Sequence, residues 1–216
     1  MAGQNIIEAD GVVAVVRLDD LSAAVPLTEA LVAGGVRAVE FTFTNPTAPR
    51  AIEAVVSALG DRALIGAGSV LDPETARVAL LAGAAYIVTP TLSLPTIELC
   101  NRYGAPTVIG ALTPTEIVSA WQAGASYVKV FPATLGGPGY FKDVRGPLPQ
   151  VKLIPTGGVS LENAADFIRA GAVAVALGSN LVDAKSVAAA DWPTITQRAR
   201  TLVEAVARAR DGSPRG

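Results

Sequence analysis

The stretch Ala123-Gly124-Ala125-Ser126-Tyr127-Val128-Lys129-Val130-Phe131-Pro132-Ala133 decides how the rest of the chain is read. Ala123 and Gly124 end one helical segment, and an apolar strand begins three residues later. The same junction recurs as Ala33-Gly34, Ala82-Gly83 and Ala170-Gly171, at intervals of 41 to 49 residues. Each interval holds about two strand–helix units, so the four junctions precede strands two, four, six and eight. Eight units with no long linker predict a parallel sheet closed on itself, a single (β/α)8 barrel of the TIM type. A doubly wound open sheet is the alternative. Against it, no Gly-x-Gly-x-x-Gly follows the first strand, and Gly66-Ala67-Gly68 lacks the third glycine.

Outward from that stretch the pattern repeats. A short helical lead-in, residues 5–10, precedes the apolar run 12–16, which Arg17 ends. Further strands are expected over 36–43, 63–68, 86–89, 107–109, 151–155 and 173–177. Helices are expected over 21–33, 48–59, 73–81, 94–103, 114–122, 140–144, 161–169 and 195–209. The barrel domain spans 1–210, and residues 211–216 read as a disordered tail.

Composition narrows the chemistry. The chain has 216 residues, half of them apolar, with 17% charged and a net charge of −2. There is no basic patch for nucleic acid, and aromatic residues are too few for a base-stacking platform. No signal peptide or membrane-spanning run is read, and the single cysteine, Cys100, points to packing in a reducing, cytoplasmic setting. The chain contains no histidine. That removes Ser-His-Asp triads and histidine-ligated metals, and no carboxylate cluster suggests a metal site. Proton transfer is left to Glu, Asp, Lys, Tyr or water.

Strand alternation puts Tyr127, Lys129 and Phe131 on one face. An ammonium group in such surroundings loses hydration, which lowers its pKa and makes it a nucleophile toward carbonyls. The other reading is a lysine that snorkels to solvent or is neutralised by a carboxylate. Active sites of these barrels lie at the C-terminal ends of the strands. Arg17, Glu40, Ser69, Lys129 and Thr156 fall there. Glu40, inside an apolar strand, needs a partner, and Lys129 is the natural one. Arg17 and Glu40 could instead form a structural ion pair, and Ser69 and Thr156 could cap helices. Two glycine turns, Thr156-Gly157-Gly158-Val159-Ser160 and Gly178-Ser179-Asn180, follow strands seven and eight. That is the place where such barrels often bind phosphate.

As a set, Val13-Ala14-Val15-Val16-Arg17, Ala33 to Thr42 around Glu40, Ile65-Gly66-Ala67-Gly68-Ser69-Val70, Val128 to Ala133, Pro155 to Val159 and Leu177 to Leu181 resemble the bacterial class I aldolases. The likeness is to those of 2-keto-3-deoxy-6-phosphogluconate (KDPG) and 4-hydroxy-2-oxoglutarate, and it covers about residues 5 to 208. It implies a Schiff base at Lys129, with Glu40 as acid/base and Thr156 holding a pyruvyl group. It implies an anion at Arg17 and a distal phosphate at Gly157, Gly158, Gly178 and Ser179. It further implies substrate contacts at Thr44 and Ser69, no cofactor or metal, a 2-keto-3-deoxy acid as partner, and a homotrimer.

The chain departs from the phosphogluconate pattern at Thr44, where that branch carries an arginine for the substrate carboxylate. Pro90-Thr91 and Ile109-Gly110 stand where Pro-Gly pairs are usual. Thr44 and Gly137-Pro138-Gly139-Tyr140-Phe141-Lys142 look more like the 6-phosphogalactonate branch. Two other classes stay open at this point: a sugar-phosphate isomerase or epimerase using Glu40 as base, and a non-catalytic assembly barrel.

Overall fold

The computed structural model describes residues 2–211. Its strands are buried along their length, as at all five positions of Val12–Val16. A strand with no solvent face needs a core on both sides. The chain supplies two. Val13, Val15, Ala38, Leu64, Tyr86, Val108, Tyr127 and Ile154 fill an inner core. Val12, Ala14, Val39, Phe41, Ile65, Ile109 and Val128 belong to an outer core packed against helices. Residues alternate between the two along each strand, as the pleat requires.

The strands are β1 (Val12–Val16), β2 (Ala38–Thr42), β3 (Leu64–Gly68), β4 (Tyr86–Val88), β5 (Thr107–Ala111), β6 (Tyr127–Val130), β7 (Leu153–Pro155) and β8 (Val175–Leu177). They are parallel, each beside its sequence neighbour, with β8 beside β1. This order excludes the doubly wound alternative. Between β7 and β8 closure is thin: a Thr156–Ala176 bridge, and Val173 N–H donating to Leu153 O at 3.0 Å.

The helices are α1 (Ala2–Asp10), α2 (Ala24–Ala33), α3 (Ala48–Leu59), α4 (Pro73–Leu81), α5 (Leu94–Arg102), α6 (Pro114–Gln122), α7 (Gly137–Arg145), α8 (Ala164–Arg169), α9 (Ala184–Ala188) and α10 (Trp192–Asp211). Proline and caps fix several starts. Asp72 accepts from Thr75 N–H at 2.6 Å ahead of α4, and Thr113 with Glu116 forms a capping box ahead of α6. Short α9 was not expected, and α10 runs through Asp211, so the expected tail loses its first residue to a helix. Residues 212–216 lie outside the described part of the chain. The first repeated junction is also offset by one residue. Gly83, Gly124 and Gly171 have φ of 92° to 97°, and at the first junction that role falls to Gly35 at 92° rather than Gly34.

The lead-in helix proves to be a plug. Ile7 is fully buried in the inner core, which stabilises by about 1.5–3 kcal/mol for a side chain of its type. Asp10 receives the backbone N–H of Arg37 at 3.1 Å and its guanidinium Nε at 3.0 Å. Glu8 accepts from Tyr127 Oη at 2.9 Å and from Lys152 Nζ at 2.7 Å. One end of the barrel is thereby stoppered, and the chemistry is left to the other.

Candidate active site

On β6, Tyr127 belongs to the inner core and Val128 to the outer, so Lys129 faces inward. It is 4% exposed, with its ammonium nitrogen 5.4 Å from the centre of the Phe131 ring. On β2, Val39 and Phe41 point outward, which turns Glu40 inward at 2% exposure. Arg17, one residue beyond β1, stands exposed at the mouth.

These three charges act on one another. Burial raises the Glu40 pKa, and the cations of Lys129 and Arg17 only partly oppose it. Burial lowers that of Lys129; Glu40 works against the shift and Arg17 adds to it. Both directions favour neutral forms, a free amine and a protonated carboxyl. The expected Glu40–Lys129 partnership is therefore one of electrostatic field. No ion pair within 4 Å joins them among the described residues, nor does Arg17 form one, which removes the structural Arg17–Glu40 pair.

At the same mouth opens a cavity of about 250 Å³, lined among others by Arg17, Phe131, Thr156, Gly158 and Ser179. Lys129 and Glu40 are not among its lining residues, and Phe131, whose ring lies beside the Lys129 ammonium, is the link to them. Gly157 and Gly178 share in its wall. Gly157 and Gly158 have φ of 83° and 75°, a conformation that glycine adopts without strain. A Cβ on Gly158 would also lie 2.0 Å from Thr134 Cγ2. Asn180 binds the two turns together, its amide donating to Val159 O at 2.9 Å. The Gly157 N–H faces Ala176 across the Thr156–Ala176 bridge, whereas no acceptor among the described residues meets the backbone N–H groups of Gly158, Ser179 and Asn180. Three unspent donors beside a cation form a natural anion cradle. The expected helix N-termini are not part of it, since α8 and α9 begin farther along the chain. The donors belong to the turns themselves.

Not all expected residues converge. Thr44 is exposed and shares a 2.9 Å hydrogen bond with the Thr42 hydroxyl, which also donates to Val16 O at 3.3 Å. Ser69 adopts φ 57° where β3 turns away. Neither is among the residues that line the cavity. Ser69 does not cap α4, where Asp72 does so, and the Thr156 hydroxyl is buried without a partner among the described residues. Cys100 is buried on α5, and burial pushes its thiol up to about 11, as befits a packing role.

Sequence reading missed Tyr86. It is fully buried on β4, inside the barrel, and burial together with the Glu40 charge raises its phenol pKa. A continuous apolar strand such as Tyr86-Ile87-Val88 gives no sign of which face is inward.

A barrel whose interior lysine is dehydrated, beside a buried carboxyl and below an anion cradle, has the layout of a class I aldolase, a carbon–carbon lyase. Comparison with known proteins specifies the family. Residues 4–198 match the aldolase family described as KDPG and KHG aldolase. A 2-dehydro-3-deoxy-phosphogluconate aldolase of Treponema pallidum is 37% identical over 196 residues, 90% of this chain and 93% of that one. The 2-dehydro-3-deoxy-6-phosphogalactonate aldolase of Escherichia coli is 39% identical over 153 residues, 70% and 75% of the two chains. The KDPG aldolase of Legionella pneumophila, solved with pyruvate captured as a covalent carbinolamine, superposes with a TM-score of 0.86. It shares 29% identity, over 93% of this chain and 97% of that one. The chain belongs to the KDPG and KHG aldolase family, and it is an enzyme of the aldehyde-lyase type.

Proposed function

We propose that the chain reversibly cleaves a phosphorylated 2-keto-3-deoxy sugar acid to pyruvate and an aldehyde, with Lys129 as the Schiff-base residue. The observation that carries this reading is the inward, 4%-exposed Lys129 whose pKa burial lowers. A free amine adds to the C2 ketone of the substrate and gives a carbinolamine. Glu40, whose pKa burial raises, delivers a proton to the departing hydroxyl, and water leaves to form the iminium. The Glu40 carboxylate then takes the proton of the C4 hydroxyl. C3–C4 breaks, the electron pair moves into the enamine, and the aldehyde leaves. Protonation at C3 and addition of water return the amine and release pyruvate.

Thr156, with its unpaired buried hydroxyl, would hold the pyruvyl portion. Arg17 and the N–H groups of Gly158 and Ser179, together with the side-chain-free walls at Gly157 and Gly178, would hold the distal phosphate. Thr44 and Ser69 remain proposed as outer contacts. The phosphogalactonate acid is the favoured alternative substrate, because position 44 carries a short hydroxyl rather than a cation. A phosphorylated acid is too charged to cross a membrane unaided, which favours a cytoplasmic enzyme. Among the described residues no helix is long and apolar enough to span one. Exposed Leu71, Val78, Leu81 and Leu94, on and beside α4, fit burial in a homotrimer. A sedimentation mass of three chains is expected.

Borohydride in the presence of pyruvate tests the central claim. A stable mass increase should map to Lys129 and vanish in Lys129→Ala. An unmodified lysine, under conditions that trap a control aldolase, overturns it. Parallel assays with the gluconate- and galactonate-derived acids decide the substrate.

A further inference from the structure

Three buried side-chain oxygens lack a hydrogen-bond partner among the described residues: Glu40 Oε1, Tyr86 Oη and Thr156 Oγ1. Thr156 faces the open cavity. The other two lie deeper, and the strand register brings them to one place. Gly66 pairs with Glu40 on one side and with Tyr86 on the other. A Cβ on Gly66 would lie 2.4 Å from Tyr86 Cζ, the carbon that carries the hydroxyl. A Cβ on Gly68 would lie 2.6 Å from Glu40 Oε1. Gly66 and Gly68 share a strand face, about 6.6 Å apart at two strand rises. The phenol end and the carboxylate oxygen therefore stand over neighbouring bare positions of β3.

Buried polar groups are rarely left unsatisfied, and buried waters commonly join such orphans. We propose that Tyr86 is a positioning residue for Glu40, its hydroxyl joined to Oε1 through a single buried water. Tyr86 donates to the water, and the water donates to the carboxylate. This link holds the carboxyl over Gly68 and favours its charged form, against the burial that favours the neutral one. The other charged groups acting on Glu40 are Lys129 from β6 and Arg17 beyond β1. The inference rests on the proposed acid/base role of Glu40 only for its kinetic consequence.

Tyr86→Phe keeps the ring over Gly66 and removes the hydroxyl. The Glu40 carboxyl is followed by infrared difference spectroscopy, its band assigned by its loss in Glu40→Gln. In Tyr86→Phe its titration midpoint should move to higher pH by roughly one unit. The acid limb of pyruvate methyl exchange in deuterated water should move with it, lowering kcat more than affinity for pyruvate. A crystal structure of the wild-type enzyme should show a water between the two oxygens. An unchanged midpoint, or a Tyr86 hydroxyl bonded elsewhere, overturns the proposal. If the midpoint moves but Glu40→Gln exchanges at the wild-type rate, the positioning stands and the acid/base reading of Glu40 falls.

Discussion

The Glu40 carboxyl occupies the space that a side chain on Gly68 would need: a Cβ there would stand 2.6 Å from Oε1 and 2.9 Å from Cδ. The glycine is thus bare for the carboxyl rather than for its backbone, whose φ is not in the left-handed region. Gly68→Ala should leave the fold intact and push Glu40 from its place. Misplacement of a reacting group by about 1 Å costs on the order of a hundredfold. Steady-state cleavage should therefore fall at least about tenfold, with little change in melting temperature. Full activity in this variant would show that the carboxyl need not sit there.

The direction of the Lys129 shift predicts a pH dependence. Burial, the largest influence, lowers its pKa from 10.5, and Glu40 opposes that shift without reversing it. At a given pH below 10.5, more of the lysine is then free amine than in an ordinary side chain. The initial rate of pyruvate adduct formation, trapped with cyanoborohydride, should rise with pH and reach its midpoint below 10.5. A midpoint at or above that value would show that the ammonium stays hydrated.

At the opposite end, stability and activity should separate. Asp10 is largely buried and holds Arg37 through its guanidinium and its backbone N–H. The guanidinium is 42% exposed, so solvent screens the pair in part. Arg37→Ala should cost about 1–2 kcal/mol, the discounted worth of charged hydrogen bonds. It should leave kcat unchanged, because α1 closes the end away from Lys129. Chemical denaturation beside a cleavage assay checks both; a matching loss of kcat would mean that the plug sets the geometry of the mouth.

Much of this was readable in the chain, for physical reasons that also mark where reading stops. Helices starting at Pro73 and Pro114 were placed to the residue, because proline and a capping side chain leave little choice of start. That Tyr127, Lys129 and Phe131 share a face followed from strand alternation, and the glycine turns after β7 and β8 from their composition; that the shared face is the inner one came from the fold. Tyr86 was not legible, since a strand buried on both faces carries no polar alternation. Nor were Gly66 and Gly68 legible as spaces for side chains on other strands, a property of register rather than of local sequence. Short α9 has a capped start, with Asp183 accepting from Ser186 N–H at 2.9 Å and from its hydroxyl at 2.6 Å, but its five residues are too few for a helical apolar period to show. The plug formed by α1 depends on contacts with Arg37, Tyr127 and Lys152, far along the chain.

The phosphate cradle can be tested without disturbing the fold, and Gly178 is the place to do it. A Cβ there meets nothing closer than Val15 O at 3.9 Å, and its φ is not left-handed. Gly178→Ala should therefore fold as the wild type does. Gly158→Ala, by contrast, combines a φ of 75° with a 2.0 Å clash and should lose stability as well. Since Gly178 lines the cavity, its new methyl would stand where a phosphate approaches the backbone donors. A charge-assisted hydrogen bond lost or lengthened is worth about 1.5 kcal/mol or more, roughly tenfold in affinity. KM for a phosphorylated keto-deoxy acid should rise by about that factor, with kcat and the rate of pyruvate methyl exchange unchanged. Pyruvate reaches Lys129 without needing the distal site, so the split distinguishes a phosphate cradle from a general defect. Equal losses for both substrates would assign the glycine turns to the architecture of the barrel alone.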